Sequence, residues 1–389
     1  ELIGLYESAY KKRLKKLGMS ESDLEGNVHL PSLEVVNSKD IPLVSSSNHI
    51  SLDLKAHDTD FDLTTLNVWI NDVPLFGSKG KKITGKDYSG KIDVDLVSGL
   101  NKIQVSCINA KGNESYKHTF DVDCSVEAQS DLYVISIGTS KYKNSQFDLD
   151  YAAKDATDLA NLYGTNKRHF ANVKRKTLAD HEVTRLNVLK LKEFLKEAKI
   201  NDVVIVFIAG HGVLDSKLDY FYGTHDMDFT NPSVSGLRYD QIESILDGIK
   251  PIKKILIMDT CHSGEVEKDE VEEGKDEVIE GTDVIFRAVG PGIKQKGGAS
   301  PTRMMNELFN DLRRGTGTTV IASAGGAEYA MESSEWKNGL FTYCLLDALK
   351  NTKADLDGDG KVMLSEMQSW VRDQVYELSG GRQSPTTRI

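Results

Sequence analysis

The 389-residue chain reads as two successive folds, an all-β sandwich followed by an α/β domain with a mostly parallel central sheet flanked by helices. Three observations predict this division. Residues 30 to 124 alternate apolar and polar side chains with period two, between frequent Gly and Asn-Asp turn signals. From Asp131 onward the apolar runs become continuous and alternate with amphipathic stretches, as in a parallel sheet covered on both faces. A hydrophobic content of 39% with 28% charged residues fits a globular chain, long enough for two or three domains.

The elements follow in order. Leu2 to Leu17 has helical spacing of Leu2, Leu5, Tyr6 and Tyr10, a basic end at Lys11 to Lys16, and Gly18 as a stop. It is read with its linker as a unit of residues 1–27 that packs on another domain or belongs to an upstream one. The sandwich is expected over 28–127. Its alternating sets are Ile50, Leu52 and Leu54; Leu66, Val68 and Ile70; Ile92, Val94 and Leu96; and Ile103, Val105 and Cys107. About seven short strands with such turns predict an immunoglobulin-like type, here a packing or docking module with no chemistry of its own. Cys107 is expected opposite Lys117 or His118 rather than Cys124, so no disulfide is predicted. All four cysteines, with Cys261 and Cys344, read as reduced thiols of a cytoplasmic protein.

The α/β domain is expected over 128–389. LYVISIG (132–138), DVVIVFIAG (202–210), KKILIMD (253–259) and TTVIASAG (318–325) read as strands. YAAKDATDLANLYG (151–164), VTRLNVLKLKEFLKEA (183–198), YDQIESIL (239–246), GLFTYCLLDALK (339–350) and Leu364 to Leu378 read as helices. Between them, Glu265 to Glu280 carries nine acids and two lysines, followed by a Gly-rich stretch to Gly298. Like-charge density and glycine favour a mobile loop there.

Several function classes are excluded. A net charge of −11 without a basic, aromatic-laced patch argues against nucleic acid. No apolar run approaches a membrane span, so no membrane partner is expected. No charged-then-apolar leader follows Glu1, so no signal peptide is expected, and the missing initiator Met reads as a fragment or processed product that has lost targeting information. Protein or peptide substrates are the expected partners, with an upstream sensor domain or a partner protein as a further one.

Two pieces carry the chemistry. IVFIAGHG (205–212) delivers His211 and ILIMDTCHSGE (255–265) delivers Cys261, 50 positions later, each at the C-terminal end of a buried strand. A thiol and an imidazole so placed can meet above one sheet edge as nucleophile and base. Singly, each also reads as a buried small hydrophobe or a turn histidine.

Their order and spacing resemble the caspase-like clan. Ala209-Gly210-His211-Gly212 and Asp259-Thr260-Cys261-His262-Ser263-Gly264 resemble the metacaspase motifs S-G-H-G and D-S-C-H-S-G. YAAKDA and EWKNGLFTYCLLDAL resemble further regions of bacterial members, some of which carry accessory domains. The resemblance runs from about Leu132 to the C-terminus. It implies a large-subunit-like part (128–264), a linker (265–300) and a small-subunit-like part (301–389). It implies a cysteine endopeptidase acting on protein or peptide substrates, needing no cofactor for the chemistry.

Cys261 would attack the carbonyl, and His211 would take the thiol proton and protonate the leaving amine. By resemblance, the N–H groups of Cys261 and Gly212 would form the oxyanion hole. His262, adjacent to Cys261, is a weaker rival base. True caspases carry Gln two positions before the Cys, whereas here Asp259 stands there. Metacaspases pair such an Asp with one after the first strand, best matched by Asp155, which also reads as a helix-capping or solvated acid. Two carboxylates in one pocket call for Arg or Lys at P1 rather than Asp. Ala209 replaces the metacaspase Ser, which removes one pocket hydrogen bond. The linker holds Lys268, Lys275, Arg287, Lys294 and Lys296, so it reads either as a self-processing substrate, Arg287 first, or as an inert solvated loop.

Asp355, Asp357, Asp359, Lys361 and Glu366 fit D-x-D-x-D-G-x5-E, the spacing of a calcium loop. The stretch reads either as a structural Ca2+ site or as a turn before the last helix. Two other readings of the whole chain stand: a catalytically silent caspase-like scaffold, and a legumain-, clostripain- or gingipain-like enzyme.

Overall fold

The computed structural model describes residues 29–165, 170–215, 219–260, 284–287, 316–324, 330–350 and 352–388, besides four isolated positions before residue 29. Apart from Tyr10, Lys11 and Leu14, which are helical, the proposed N-terminal helix lies outside the described residues, as do Cys261, His262, Lys268, Lys275, Lys294 and Lys296.

Residues 32–124 form two facing sheets. One joins β1 (Ser32–Val35), β3 (His49–His57) and β7 (Asp87–Asp95). The other joins β2 (Val44–Ser45), β9 (His118–Cys124), β8 (Gly99–Asn109), β4 (Leu63–Ile70) and β5 (Val73–Pro74), with β6 (Lys81–Lys82) also on β4. The four alternating apolar sets named above all point into one core between the sheets. All pairs are antiparallel except β2 with β9. Cys107 does not face Lys117 or His118: Ile108 bridges Glu114, and Ser115 exchanges hydrogen bonds with Cys107. The turn is tighter than the sequence reading assumed. Cys107, Cys124 and Cys344 are free, as expected.

The second domain is built on a six-stranded sheet of order β11-β10-β12-β16-β18-β21. These are β10 (Leu132–Gly138), β11 (Val173–Ala179), β12 (Val203–Gly210), β16 (Lys253–Thr260), β18 (Thr318–Ala322) and β21 (Thr386–Arg388), and only β21 runs antiparallel. Because β10, β12 and β16 are central, their continuous apolar runs are buried on both faces. One face is covered by α2 (Arg185–Lys190) and α3 (Tyr239–Leu246), the other by α1 (Ala152–Thr165), α4 (Leu340–Lys350) and α5 (Leu364–Leu378). Gly138 permits α1 to approach β10 closely, since a Cβ there would lie 2.2 Å from the Ala152 carbonyl oxygen. The helix expected over 183–198 is shorter than its pattern: past Lys190 it tightens into a 3-10 turn at Leu191–Leu195, which tucks Leu191 and Leu195 into the core. Two small antiparallel sheets rise beside the central one. The first is β13 (Gly212–Leu214), β14 (Tyr220–Tyr222) and β15 (Leu237–Arg238); the second is β17 (Ile285–Phe286), β19 (Met331–Ser333) and β20 (Asn338–Gly339).

The sandwich meets this domain at the opposite end of the sheet from His211. Ser78 donates through N–H and Oγ to the Asp247 carboxylate at 2.7 and 2.9 Å, and Ile200 completes the sandwich core.

Candidate active site

The central strands bring the proposed residues to one place. β12 and β16 are adjacent and parallel, with Ala209 opposite Asp259 and Gly210 opposite Thr260. His211 follows the first strand directly. Thr260, held by a 2.8 Å hydrogen bond with the Tyr220 hydroxyl, is the last described residue before Cys261. Gly210 makes the turn into His211 at a φ of 143°.

His211 is buried and oriented from several sides. Its N–H donates to the Tyr142 hydroxyl at 3.1 Å, and the Phe229 ring packs edge-on against the imidazole. Nε2 lies 2.9 Å from the Phe147 carbonyl oxygen, and Nδ1 lies 3.1 Å from the carbonyl oxygen of Arg287. Donation from Nε2 to Phe147 leaves Nδ1 as the basic nitrogen; a protonated ring donates to both. Gly212 opens β13 immediately after the imidazole, opposite Tyr222.

The linker does not pass this site as a solvated loop in its described part. Residues Val284–Arg287 add a strand: β17 pairs antiparallel with β19, Ile285 opposite Glu332 and Phe286 opposite Met331, and Arg287 N–H donates to the Ala330 carbonyl at 2.9 Å. The Arg287 side chain is fully buried, as are Asp155, Asp259 and Glu332 around it. Nη2 donates to Asp155, Nη1 lies 3.2 Å from an Asp259 carboxylate oxygen, and Nε donates to Glu332 at 3.0 Å.

Each acid is held in turn. Asp155 sits in the first turn of α1 and accepts from the Gly339 N–H and the Asn338 side chain. Thr342 donates to Asp259, and the Asp150 N–H donates to Glu332 at 2.8 Å. Burial would lower the Arg287 pKa, but Asp259, Asp155 and Glu332 outweigh it and hold it well above its ordinary value. For Asp155, burial and the nearby Asp259 outweigh Arg287 and raise its carboxyl to about 7. Asp259 Oδ1 has no hydrogen-bond partner among the described residues, and the residue beside it in register is Ala209.

Sequence reasoning missed Glu332, Asn338, Gly339 and Thr342. Nothing in the sequence marks Glu332, which stands between Glu328 and Glu335, as the one that reaches the pocket. Gly339 shapes the pocket: a Cβ there would lie 2.7 Å from Asp259 Oδ2 and 2.8 Å from Arg287 Nη2.

The acidic loop far along the chain is a separate feature. Carboxylate oxygens of Asp355, Asp357 and Asp359 converge within 4.8 Å, which suits a hard cation. Both oxygens of Glu366, however, accept backbone N–H groups, from Leu356, Asp357 and Met363. Both oxygens of Asp355 do the same for Gly358 and Gly360, so the loop is laced to its own carboxylates. The Lys361 N–H donates to Asp359. No described helix is long and apolar enough to cross a membrane.

Comparison with known proteins bears on the whole second domain. The family model described as "Caspase domain" matches residues 133–389. A Geobacter sulfurreducens protein of known structure, GSU0716, is 17% identical, covers 66% of this chain and 92% of its own, and superposes with a TM-score of 0.43. Fibronectin(III)-like modules of Clostridium thermocellum CbhA are 10% identical, cover 26% of this chain and 52% of their own, and give a TM-score of 0.20. Among curated proteins nothing matches. The family match takes in well over half of the chain and every strand and helix that contributes to the acidic pocket, and the chain therefore belongs to the caspase-domain family, with a cysteine peptidase-like α/β domain.

Proposed function

We propose that this protein is a cysteine endopeptidase that cleaves protein substrates after a basic P1 residue, through Cys261 and His211, and that it processes itself after Arg287. One observation carries the reading. A basic residue of the chain's own linker has its guanidinium buried among three carboxylates while its carbonyl oxygen lies 3.1 Å from His211 Nδ1. A buried cation needs such partners, and an acidic P1 side chain would meet only repulsion there. Engagement of Nε by Glu332 favours Arg over Lys, whose single ammonium has no matching fork.

The chemistry proceeds in balanced steps. His211 Nδ1 takes the Cys261 thiol proton as the sulfur attacks the scissile carbonyl. The N–H groups of Cys261 and Gly212 stabilise the oxyanion. Collapse breaks the C–N bond, and the imidazolium gives its proton to the leaving amine. Water, deprotonated by His211, then hydrolyses the thioester and returns the thiol.

The two facing sheets of residues 32–124 around one core support reading residues 28–127 as an immunoglobulin-like sandwich, a packing or docking module. Calcium at Asp355, Asp357 and Asp359 would be structural, with no step routed through it.

Matched fluorogenic peptides ending in Arg, Lys or Asp test the function, with Cys261→Ala as the blank. Turnover should follow Arg, then Lys; preference for Asp sinks the reading. Arg peptides bound but never cut would favour the silent scaffold. Intact-mass analysis of wild type and Cys261→Ala after incubation tests self-processing, and identical masses count against it.

A further inference from the structure

We propose that Phe229 is a positioning residue for the His211 imidazole: its ring holds the Phe147 carbonyl against Nε2 and so fixes which nitrogen carries the proton. This rests on the reading of His211 as the base and goes beyond it. The imidazole lies between two carbonyl oxygens, that of Phe147 at 2.9 Å from Nε2 and that of Arg287 at 3.1 Å from Nδ1. A neutral ring carries one N–H and can donate to only one of them. Donation to Arg287 puts the proton on Nδ1 and leaves no lone pair there for the thiol proton. The firmness of the Phe147 acceptor therefore decides whether the ring is a competent base.

Phe147 closes a short 3-10 turn, Ser145–Phe147, none of whose residues is buried, so core burial does not anchor it. Phe229 does: the two rings stack with centroids 3.9 Å apart at 28°. The same Phe229 ring stands edge-on to His211 at 5.7 Å and 87°, and to Tyr142 at 5.3 Å and 71°. One side chain thus braces the imidazole, the residue whose carbonyl sets its tautomer, and the tyrosine whose hydroxyl accepts its main-chain N–H. Phe229 is presented by an Asx turn, in which Asp228 Oδ1 accepts the Thr230 N–H at 2.9 Å and its hydroxyl at 2.7 Å. It also packs on the apolar cluster of Val213, Phe221 and Met227. The carboxylates around Arg287 come from α1, β16 and β19, so this brace is separate from recognition of the P1 side chain. Once the imidazolium forms, the Nε2–H bond to Phe147 becomes charge-assisted, and the brace counts most in the transition state.

Two readouts in the full chain test it. In Cys261→Ala, nitrogen NMR of His211, at a pH where the ring is neutral, should find the proton on Nε2. Adding Phe229→Leu, which keeps apolar volume and loses the stack, should populate both tautomers. In the chain with Cys261 intact, Phe229→Leu should lower kcat on Arg peptides by at least about tenfold and leave KM within about twofold, and Phe229→Tyr should restore kcat. Phe147→Leu breaks the same stack from the other side and keeps the carbonyl. It should give the same loss, and the double substitution should lose no more than either single one. Should Phe229→Leu fail to melt cooperatively, Phe147→Leu carries the same expectations. A lone Nε2–H tautomer with wild-type kcat in the Leu variants overturns the proposal. So does a loss confined to KM, which makes Phe229 a substrate contact, and so do additive losses in the double variant. If the wild-type chain cuts no Arg peptide, the endopeptidase reading falls, and the tautomer measurement by itself decides the role of Phe229.

Discussion

Three carboxylates around one guanidinium leave surplus negative charge in a fully buried space. A proton on Asp155 relieves it, which is the physical sense of a carboxyl raised to about 7. Because Arg287 itself lowers that value, the emptied pocket holds the proton more tightly, and binding a cation favours its release. Affinity for an Arg peptide should therefore rise with pH only between about 7, the value with the guanidinium in place, and the higher value of the empty pocket, and be flat below and above that window. Titration of Arg287→Ala with and without Asp155→Asn checks this, and the second substitution should flatten the profile. Gly339→Ala acts by volume: its Cβ would stand within 2.8 Å of both Asp259 Oδ2 and Arg287 Nη2. It should cut kcat/KM for Arg peptides by about 100-fold, with a stability loss of about 1–3 kcal/mol. At this scale, His211 and Asp259 were legible because motif and strand end coincide. Asp155 stayed ambiguous between pocket and cap. Glu332 and Gly339 were invisible because only the fold brings them to Asp259.

At the scale of elements, periodicity was a good guide wherever burial is regular. β10, β12 and β16 are covered on both faces and read as continuous apolar runs, and α5 spans the predicted Leu364–Leu378. It failed where composition and pairing compete. The acidic linker reads as solvated, yet Val284–Arg287 finds a strand partner in β19 and a pocket for its one buried cation. The loop ahead of α5 offers a cleaner test. Glu366 accepts the N–H groups of Leu356, Asp357 and Met363, so Glu366→Ala should cost about 1 kcal/mol without any calcium. Asp357→Ala should be nearly neutral without calcium. If the loop holds the ion, calcium at about 100 times Kd should add about 2.7 kcal/mol to wild type and nothing to Asp357→Ala. Melting curves with calcium and with a chelator read both effects.

Across the whole molecule, the junction between the two domains gathers around the end of α3. The Asp247 carboxylate takes Ser78 of the sandwich, and Lys192 donates to the carbonyls of Ser244 and Asp247. Lys254, at the start of β16, is buried nearby, and burial lowers its pKa to about 8. A lysine whose folded pKa lies below its unfolded value loses a proton more readily when folded. Its full stability is present only above the unfolded value of 10.5 and is lost as pH falls through about 8. Lys254→Met should therefore raise stability at pH 7 by about 1–3 kcal/mol and remove that rise toward alkaline pH. Denaturant unfolding of both proteins at pH 7 and pH 10 measures it.

The sequence by itself determined the two-part architecture, the strand-end position of His211, and the acidic residue Asp259 at the end of β16. These depend on local period and on motifs contained within a few residues, and both survive in one dimension. The tertiary structure alone decided that Asp155, Asp259, Glu332 and Gly339 share one wall, and that Arg287, among five basic residues of the linker, occupies it. These residues lie far apart in the chain. They meet only because the order of strands sets β10, β12 and β16 side by side and brings β19 and β20 over their ends. Charge balance then does the rest, since three buried carboxylates need a cation and the linker strand reaches them with one.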